Sequence, residues 1–345
     1  MAAYLHAVSI NRRQLLQGAS LTGLGLLAGC GRWPGQGQAQ QPAAGGMTLR
    51  RIGVLGDVPA ARWDAFREGL RELGWVEGQN LAVEYRWAEG NSERQRALTA
   101  ELVGLNVECI AAGTRAAAAA AKQVTATVPI VAILATGEAL ENALVDNIAR
   151  PGGNITGMAG ISGADLEGKQ LQLLKETVPR AARVALLGRE AQAGIELRLQ
   201  ALQSAAATLG MQVQFFSVEH PRALADAFSA MSAAGADALK IVANVLFDPV
   251  WPEIADLAAR HRLPAIAERI EFPRVGGLMA YGVNLLDSYR RAATYVDKLL
   301  KGARPGDLPM ERPMRFDFGV NLKTARELGL TLPPEIMLQV TEVVQ

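Results

Sequence analysis

The sequence predicts an α/β protein of two doubly wound, parallel-sheet lobes joined by a hinge. From Arg50 onward, short apolar runs alternate with helical patterns, the order expected of a parallel sheet with helices on both faces. The same order then recurs: Val184 follows Ile52 by 132 positions, and Pro264 follows Pro129 by 135. A chain of 345 residues is long enough for two domains. Repetition at domain length therefore predicts two lobes of similar topology.

The first thirty residues have the pattern of an export signal. Arg12 and Arg13 precede an apolar, glycine-rich stretch, residues 15–27, which is too short for a membrane span. The run Asn-Arg-Arg-Gln-Leu-Leu at residues 11–16 is similar to a twin-arginine signal, so a Sec route and a twin-arginine route both stay open. We expect residues 1–29 to be a signal peptide. Residues 30–49 are expected to be a flexible tether, because they are rich in Gly, Gln, Ala and Pro.

The two cysteines have different expected roles. Leu-Ala-Gly-Cys at residues 27–30 resembles the lipobox of bacterial lipoproteins, which implies that Cys30 is lipidated and begins the mature protein. Several acyl chains hold a protein on a membrane at roughly 0.8 kcal/mol per buried CH₂. The alternative is a chance cysteine after a conventional cleavage site. Cys109 lies in an apolar run, where a free thiol behaves as a small apolar side chain, and a disulfide with Cys30 is not expected.

The first half of the body contains four predicted strands and three predicted helices. The strands are predicted at residues 51–55, 81–85, 107–112 and 128–133. The helices are predicted at residues 63–73, with Gly74 as the C-cap, at residues 93–105, and in the alanine-rich run after residue 112.

The second half repeats this order. Its strands are predicted at residues 183–187, 212–217 and 238–243, with another beginning at residues 263–266. Its helices are predicted up to Gly210 and at residues 221–233 and 252–261.

Three segments are expected to cross between the lobes, at residues 154–163, 278–283 and 309–313. Glycines in the first of these can absorb a hinge rotation. The helix at residues 285–300 would return to the first lobe, and residues 314–318 to the second. The first lobe is thus expected to contain residues 50–158 and 283–305, and the second lobe residues 159–282 and 306–345.

Charge and composition argue against several functions. The chain has 35 basic and 34 acidic residues and only 5% aromatic residues, so nucleic acid is not an expected partner. After signal cleavage only His220 and His261 remain, and both are expected at helix termini on the surface. The sequence has no zinc spacing and no G-x-S-x-G elbow. We therefore expect no catalytic residue, no metal and no cofactor.

One segment approximates a phosphate-binding loop. Residues 163–170 have the glycine and lysine spacing of that motif, but Gln170 replaces the hydroxyl residue that would hold Mg²⁺. Asp165 and Glu167 would place negative charge beside the phosphates. Asp165 fits better at the start of a helix. A two-domain nucleotide-using transferase is the enzyme alternative, and it would bind its nucleotide here.

The expected site is a cleft between the lobes. Ligands of open α/β sheets bind outside the carboxyl ends of the strands, and two facing lobes bring those ends to one gap. Thr114 begins a helix and could receive a carboxylate there or act only as the N-cap. Asn244 and Glu268 could bind an amino or hydroxyl group or face water, and Trp63 and Phe247 could form an apolar wall or belong to the core. The candidate ligand-binding residues are Asp57, Thr114, Arg115, Thr136, Gly137, Ser162, Asn244, Glu268 and Tyr281.

Long runs of the sequence resemble the family of ABC transporter substrate-binding proteins that includes tryptophan/tyrosine-binding members. The matching runs are residues 51–55, 66–78, 84–90, 112–114, 149–157, 276–282, 290–302 and 321–325. The resemblance implies a type I periplasmic-binding fold that closes on a solute and delivers it to a membrane permease. Three loops depart from the family pattern: Arg115 stands where proline is common, and residues 136–139 and 188–194 replace Gly-Asp-Pro and Asn-Pro-rich loops. All three lie at predicted strand ends, so the identity of the solute stays open.

The expected function is therefore that of a solute-binding lipoprotein of an ABC importer. It would capture an amino acid or similar carboxylate and act as a monomer with a permease and its ATPase. It would be anchored through Cys30 on the periplasmic or extracellular side of the cell membrane. A ligand sensor for a membrane signalling protein would use the same cleft and is the second alternative.

Overall fold

A computed structural model describes residues 49–136, 144–161, 163–190, 195–244 and 246–345. The predicted signal peptide, most of the tether, Cys30, Gly137 and Ser162 lie outside these ranges. Residues 47–345 form one compact unit. Within the described ranges, each helix is too short or too polar to cross a bilayer.

The first half of the described chain forms a five-stranded parallel sheet with the strand order β2-β1-β3-β4-β5. Its middle strand, β3, is buried on both faces, as the apolar run predicts. The strands are β1 (Arg50–Gly56), β2 (Leu81–Trp87), β3 (Ile110–Ala112), β4 (Ile130–Thr136) and β5 (Ile155–Ile161). The helices connecting them are α1 (Ala61–Glu72), α2 (Ser92–Gly104) and α3 (Arg115–Val124).

The second half forms a seven-stranded sheet, counted over the described residues, with the order β12-β11-β10-β9-β8-β6-β7. Its strands are β6 (Arg183–Gly188), β7 (Gln212–Ser217), β8 (Ala238–Ile241), β9 (Ala265–Ala267), β10 (Met279–Val283), β11 (Phe316–Asn321) and β12 (Glu342–Val344). The remaining helices are α4 (Gly163–Thr177), α5 (Ile195–Thr208), α6 (Leu224–Ala233), α7 (Trp251–Arg260), α8 (Glu271–Arg274), α9 (Leu285–Leu300), α10 (Leu322–Glu327) and α11 (Pro334–Met337).

The prediction of two α/β lobes with parallel sheets is confirmed, with one antiparallel pair in the second sheet. Strands β10 and β11 run in opposite directions, with Tyr281 opposite Phe318. Between them, α9 packs against α1 of the first lobe. Because the chain leaves the second sheet and re-enters it on the side of the first lobe, the returning strand must run in the opposite direction.

The connections between the sheets lie close to the predicted crossings. All of β5 pairs with β4, so residues 155–161 belong to the first sheet, and α4 follows directly in the second lobe. The third connection runs beside β5, where Ala159 N donates to Glu311 O (2.8 Å) and Glu311 N donates to Gly157 O (3.0 Å). The lobe limits at residues 158, 282 and 305 stay predictions, since the sheets do not establish where the chain bends.

Gly157 is required by the packing of β4 on β5. Its φ is +121°, and a Cβ there would lie 2.3 Å from the carbonyl oxygen of Ala132. A side chain at this position would be strained and would push the two strands apart.

Each lobe has apolar clusters on both faces of its sheet. Trp63 and Phe247 are both buried in these cores, so the core interpretation is correct for Trp63, and an apolar wall formed by Phe247 is wrong. Phe247 packs in the second lobe with its ring 6.2 Å from that of Trp251. Cys109 is fully buried immediately before β3, and burial raises the pKa of its thiol to about 12, which fits an inert apolar role.

Candidate ligand-binding cleft

The carboxyl ends of the two sheets face each other. Arg62, in the first turn after β1, places Nη1 3.9 Å from Oδ2 of Asp248, which lies in the turn after β8. Both residues follow strands at their carboxyl ends, and they belong to different lobes. This contact shows that two strand-end loops, one from each lobe, lie next to each other, as expected of loops that border one gap.

An aromatic cluster supports the loops of the first lobe. The ring of Trp63 lies 4.8 Å from that of Tyr289 and 5.8 Å from that of Trp87, both edge to face. The hydroxyl of Tyr289 donates to the carbonyl of Gly113 (2.9 Å). A Cβ on Gly113 would lie 2.5 Å from Cζ2 of Trp63, so this loop must carry glycine to lie on the cluster.

Asp57 follows β1 and is buried beneath the edge of the cleft. Its Oδ1 accepts a hydrogen bond from Nε2 of Gln95 (3.0 Å), and its carbonyl accepts one from the backbone of Glu89 (2.9 Å). The carboxylate is therefore oriented by the protein itself. Its role towards a ligand stays a prediction.

Thr114 caps α3, as one of the two interpretations expects. Its Oγ1 accepts a hydrogen bond from the backbone N–H of Ala117 (3.2 Å). Arg115 follows as the first helical residue and is half-buried, and this desolvation lowers the pKa of its guanidinium. Thr136 is the last residue of β4. Carboxylate binding at Thr114 and Thr136 stays a prediction.

Two candidates in the second lobe have local packing contacts. Oδ1 of Asn244 accepts from the backbone of Leu246 (3.0 Å), which closes the turn after β8. Tyr281 stacks on Phe316 with ring centres 5.7 Å apart, and burial raises the pKa of its hydroxyl. Tyr281 also packs on the apolar cluster of Ile161, Leu166 and Val283, where the chain passes between the sheets.

Glu268 belongs to a buried network of four charges. Arg198 forms ion pairs with both Glu268 and Glu167, its Nε lying 2.7 Å from Oε1 of Glu167. Lys240 Nζ lies 3.2 Å from Glu268 and 3.3 Å from Glu167. Lys240 and Glu167 are fully buried.

This network neutralises Glu268 from inside the lobe. Burial alone would raise the pKa of its carboxyl, but the positive charges of Arg198 and Lys240 lower that pKa to about 2. Glu268 is therefore ionised and already paired. Its predicted role towards an amino or hydroxyl group of the solute stays a prediction.

Four residues near the site are not among the ligand-binding residues predicted from the sequence: Arg62, Arg269, Tyr289 and Lys240. Arg62 and Arg269 lie in loops that the strand-end argument places at the cleft, but nothing in the sequence distinguishes them from solvated arginines. Lys240 carries a usable signal: a lysine within the apolar strand Ala-Leu-Lys-Ile must find carboxylates inside the protein.

The segment that approximates a phosphate-binding loop is helical. Residues 163–170 open α4, Glu167 is paired with Arg198 and Lys240, and the side chain of Gln170 donates to the carbonyl of Tyr281. A helix does not present the row of backbone N–H groups that cradles phosphates. The glycine and lysine spacing therefore gives no structural support to the transferase alternative.

The two remaining histidines lie at helix ends, as predicted. His220 precedes a short 3₁₀ turn, and His261 ends α7 with Nδ1 2.7 Å from the hydroxyl of Ser232. Over the part of the chain that the structure describes, His, Cys, Asp and Glu side chains form no group of three or more that could hold a metal.

Comparison with known proteins places the chain in a family. The sequence profile of the ABC transporter substrate binding protein family matches residues 54–344. A tyrosine-binding protein of Clostridioides difficile (strain R20291) is 21% identical over 317 residues, 90% of each chain.

Solved structures show the same architecture. An ABC domain from Streptococcus pneumonia in complex with L-Trp is 22% identical, with a TM-score of 0.77 over 86% of this chain and 100% of that one. A leucine binding protein from Thermotoga maritima is 15% identical, with a TM-score of 0.56 over 73% of this chain and 83% of that one. These likenesses confirm the two-lobed fold of type I periplasmic binding proteins. The match over nearly all of the described chain shows that it belongs to the ABC transporter substrate binding protein family.

Proposed function

We propose that this chain is the extracytoplasmic, lipid-anchored receptor of an ABC importer, which captures an amino acid or similar carboxylate and delivers it to a permease. The contact between Arg62 and Asp248 carries the proposal, because it brings the carboxyl edges of both sheets to one gap. Family membership and the relatives that bind L-Trp, tyrosine and leucine support the solute class.

Capture would proceed by closure of the lobes. Thr114 and Asn244, one from each lobe, follow strands β3 and β8 at their carboxyl ends, and the aromatic cluster of the first lobe keeps its loops in place. Closure excludes water from around the solute and strengthens each polar contact to it. The candidate residues Asp57, Arg115, Thr136, Gly137, Ser162, Glu268 and Tyr281 are part of this proposal.

Solute binding is tested by thermal unfolding of the purified protein with amino acids and related carboxylic acids. A solute present at 100 times its Kd stabilises the folded state by about 2.7 kcal/mol, which raises the midpoint by several degrees. If each of these solutes leaves the midpoint unchanged while one of them is converted to product, the receptor function is wrong.

The lipid anchor needs a separate experiment. In the wild-type host, Cys30 is expected to incorporate labelled palmitate, and the protein should sediment with membranes. Replacement of Cys30 by serine should abolish labelling and release the protein to the soluble fraction, because no thioether can form. Labelling that persists in the Cys30→Ser variant contradicts the anchor but leaves solute binding untouched.

A further inference from the structure

A tyrosine of α9 supports the loop that joins β3 to α3. Tyr289 is buried, and its ring packs edge to face on that of Trp63, with 4.8 Å between the ring centres. Its hydroxyl donates to the carbonyl of Gly113 (2.9 Å), while the N–H of Gly113 donates to the carbonyl of Leu55 (2.9 Å). Both backbone polar groups of Gly113 therefore have partners inside the first lobe.

These contacts orient the peptide bond between Gly113 and Thr114. In a trans peptide the carbonyl and the following N–H point in opposite directions, and the described chain contains no cis peptide. Because the carbonyl of Gly113 points at Tyr289, the N–H of Thr114 points away from the aromatic cluster. A side chain 176 positions from Gly113 in the sequence thus sets the direction of one backbone donor.

Thr114 uses its other polar groups to begin α3. Its hydroxyl oxygen accepts from the N–H of Ala117 (3.2 Å), and its carbonyl accepts from the N–H of Ala118 (2.9 Å). Over the part of the chain that the structure describes, the N–H of Thr114 itself has no acceptor within the protein. Thr114 is half-buried and follows β3 at the carboxyl edge of the sheet. A backbone donor is therefore held in a fixed direction at the edge where a solute is expected.

We infer that Tyr289 is a positioning residue of the cleft: its hydroxyl holds the Gly113–Thr114 peptide so that the N–H of Thr114 is presented to a polar group of the solute. This inference rests on the proposed function and adds a residue that does not itself touch the solute. Without this support the loop would have to be ordered at the moment of binding, and the cost of that ordering would reduce the affinity. The support is rigid, because α9 packs closely on α1 at Gly69.

Two tyrosine variants of the full-length protein test the inference. Tyr289→Phe removes the hydroxyl and keeps the ring. Its matched control is Tyr295→Phe, six residues later on α9, where the tyrosine is also buried and its hydroxyl donates to the carbonyl of Pro309 (2.8 Å). Each variant loses one hydrogen bond of a buried tyrosine, so we expect both to lower the unfolding midpoint by a few degrees.

Solute affinity distinguishes positioning from stability. L-tryptophan, L-tyrosine and L-leucine are titrated calorimetrically into the wild type and both variants. Tyr289→Phe should weaken the binding of every amino acid that the wild type binds by about tenfold, because the direction of the Thr114 N–H is no longer fixed. Tyr295→Phe should change these affinities by less than about twofold, because its hydroxyl supports a different segment.

Amide hydrogen exchange tests the same contact without any solute. In the free wild type, the N–H groups of Gly113 and Ala117 are both hydrogen-bonded. Loss of the Tyr289 hydroxyl should let this loop open more often, so both N–H groups are expected to exchange about fivefold faster in Tyr289→Phe and at the wild-type rate in Tyr295→Phe. Unchanged exchange at Gly113 and Ala117 in Tyr289→Phe overturns the inference, whichever solute the protein binds.

The outcomes separate this inference from the receptor function. If Tyr289→Phe binds the amino acids as tightly as the wild type, Tyr289 has no positioning role while the receptor function stands. Equal weakening of binding in both tyrosine variants has the same consequence. If the wild type binds none of the three amino acids and no acid of the thermal unfolding experiment, the receptor function and the positioning role are both wrong.

Discussion

At the scale of single residues, Lys240 is the side chain whose loss should cost most. It is fully buried and balances Glu167 and Glu268 together with Arg198. Lys240→Met leaves two buried carboxylates facing one cation, which we expect to lower the free energy of unfolding by about 3–5 kcal/mol. Urea unfolding measures this. Lys323→Met, at an exposed lysine, should change it by less than about 0.5 kcal/mol, and equal effects would refute a special role for the network.

The same network gives stability a dependence on pH. The pKa of Glu268 is lowered from 4.5 to about 2, so the folded state binds this proton less readily than the unfolded state. Its contribution is complete above pH 4.5 and is lost as the pH falls towards 2. We expect the unfolding free energy of the wild type to fall more steeply in this window than that of Glu268→Gln. The exposed Glu253→Gln control should follow the wild type, and identical slopes for all three would contradict the assignment.

At the scale of elements, the crossing of α1 and α9 decides how the first lobe is assembled. The two helices meet at Gly69, where a Cβ would lie 2.7 Å from the carbonyl of Arg290 and 3.0 Å from Cβ of Ala293. Gly69→Ala should separate the helices and destabilise the protein by about 1–3 kcal/mol, which thermal unfolding measures.

Gly104 provides the matched control for that crossing. It lies at the end of α2 with no atom within 4 Å of an added Cβ. Gly104→Ala should leave the free energy of unfolding unchanged or raise it by up to about 1 kcal/mol. The gain would arise because alanine reduces the conformational entropy of the unfolded chain. If both glycine variants behave alike, close packing at Gly69 is not what holds α9 on the first lobe.

The order of elements was predictable because each helix and each strand carries its own periodicity. The strands that were predicted in the two halves lie within a few residues of those observed, since an apolar run between turn residues forms a buried parallel strand in either lobe. Strand β12 was not predicted. The direction of β11 was not predictable. It follows from where α9 docks, and no local pattern records that contact.

At the scale of the whole molecule, residues 47–345 form one compact unit. A protein that begins at Met47 is therefore expected to unfold at the same midpoint temperature as the full-length chain. Differential scanning calorimetry of the two proteins measures this. A midpoint lower by more than a few degrees would show that the preceding residues contribute to the fold.

The sequence by itself determined the α/β class, the repeated order of elements and the loops that border the cleft. These follow from periodicity and from the rule that strand ends carry the site. Only the tertiary structure decided which charged side chains in those loops already have partners inside the protein. Glu268 is neutralised by Arg198 and Lys240, whereas Arg269 keeps a buried N–H without an acceptor. Ion pairing depends on distances between residues far apart in the chain, and those distances exist only after folding.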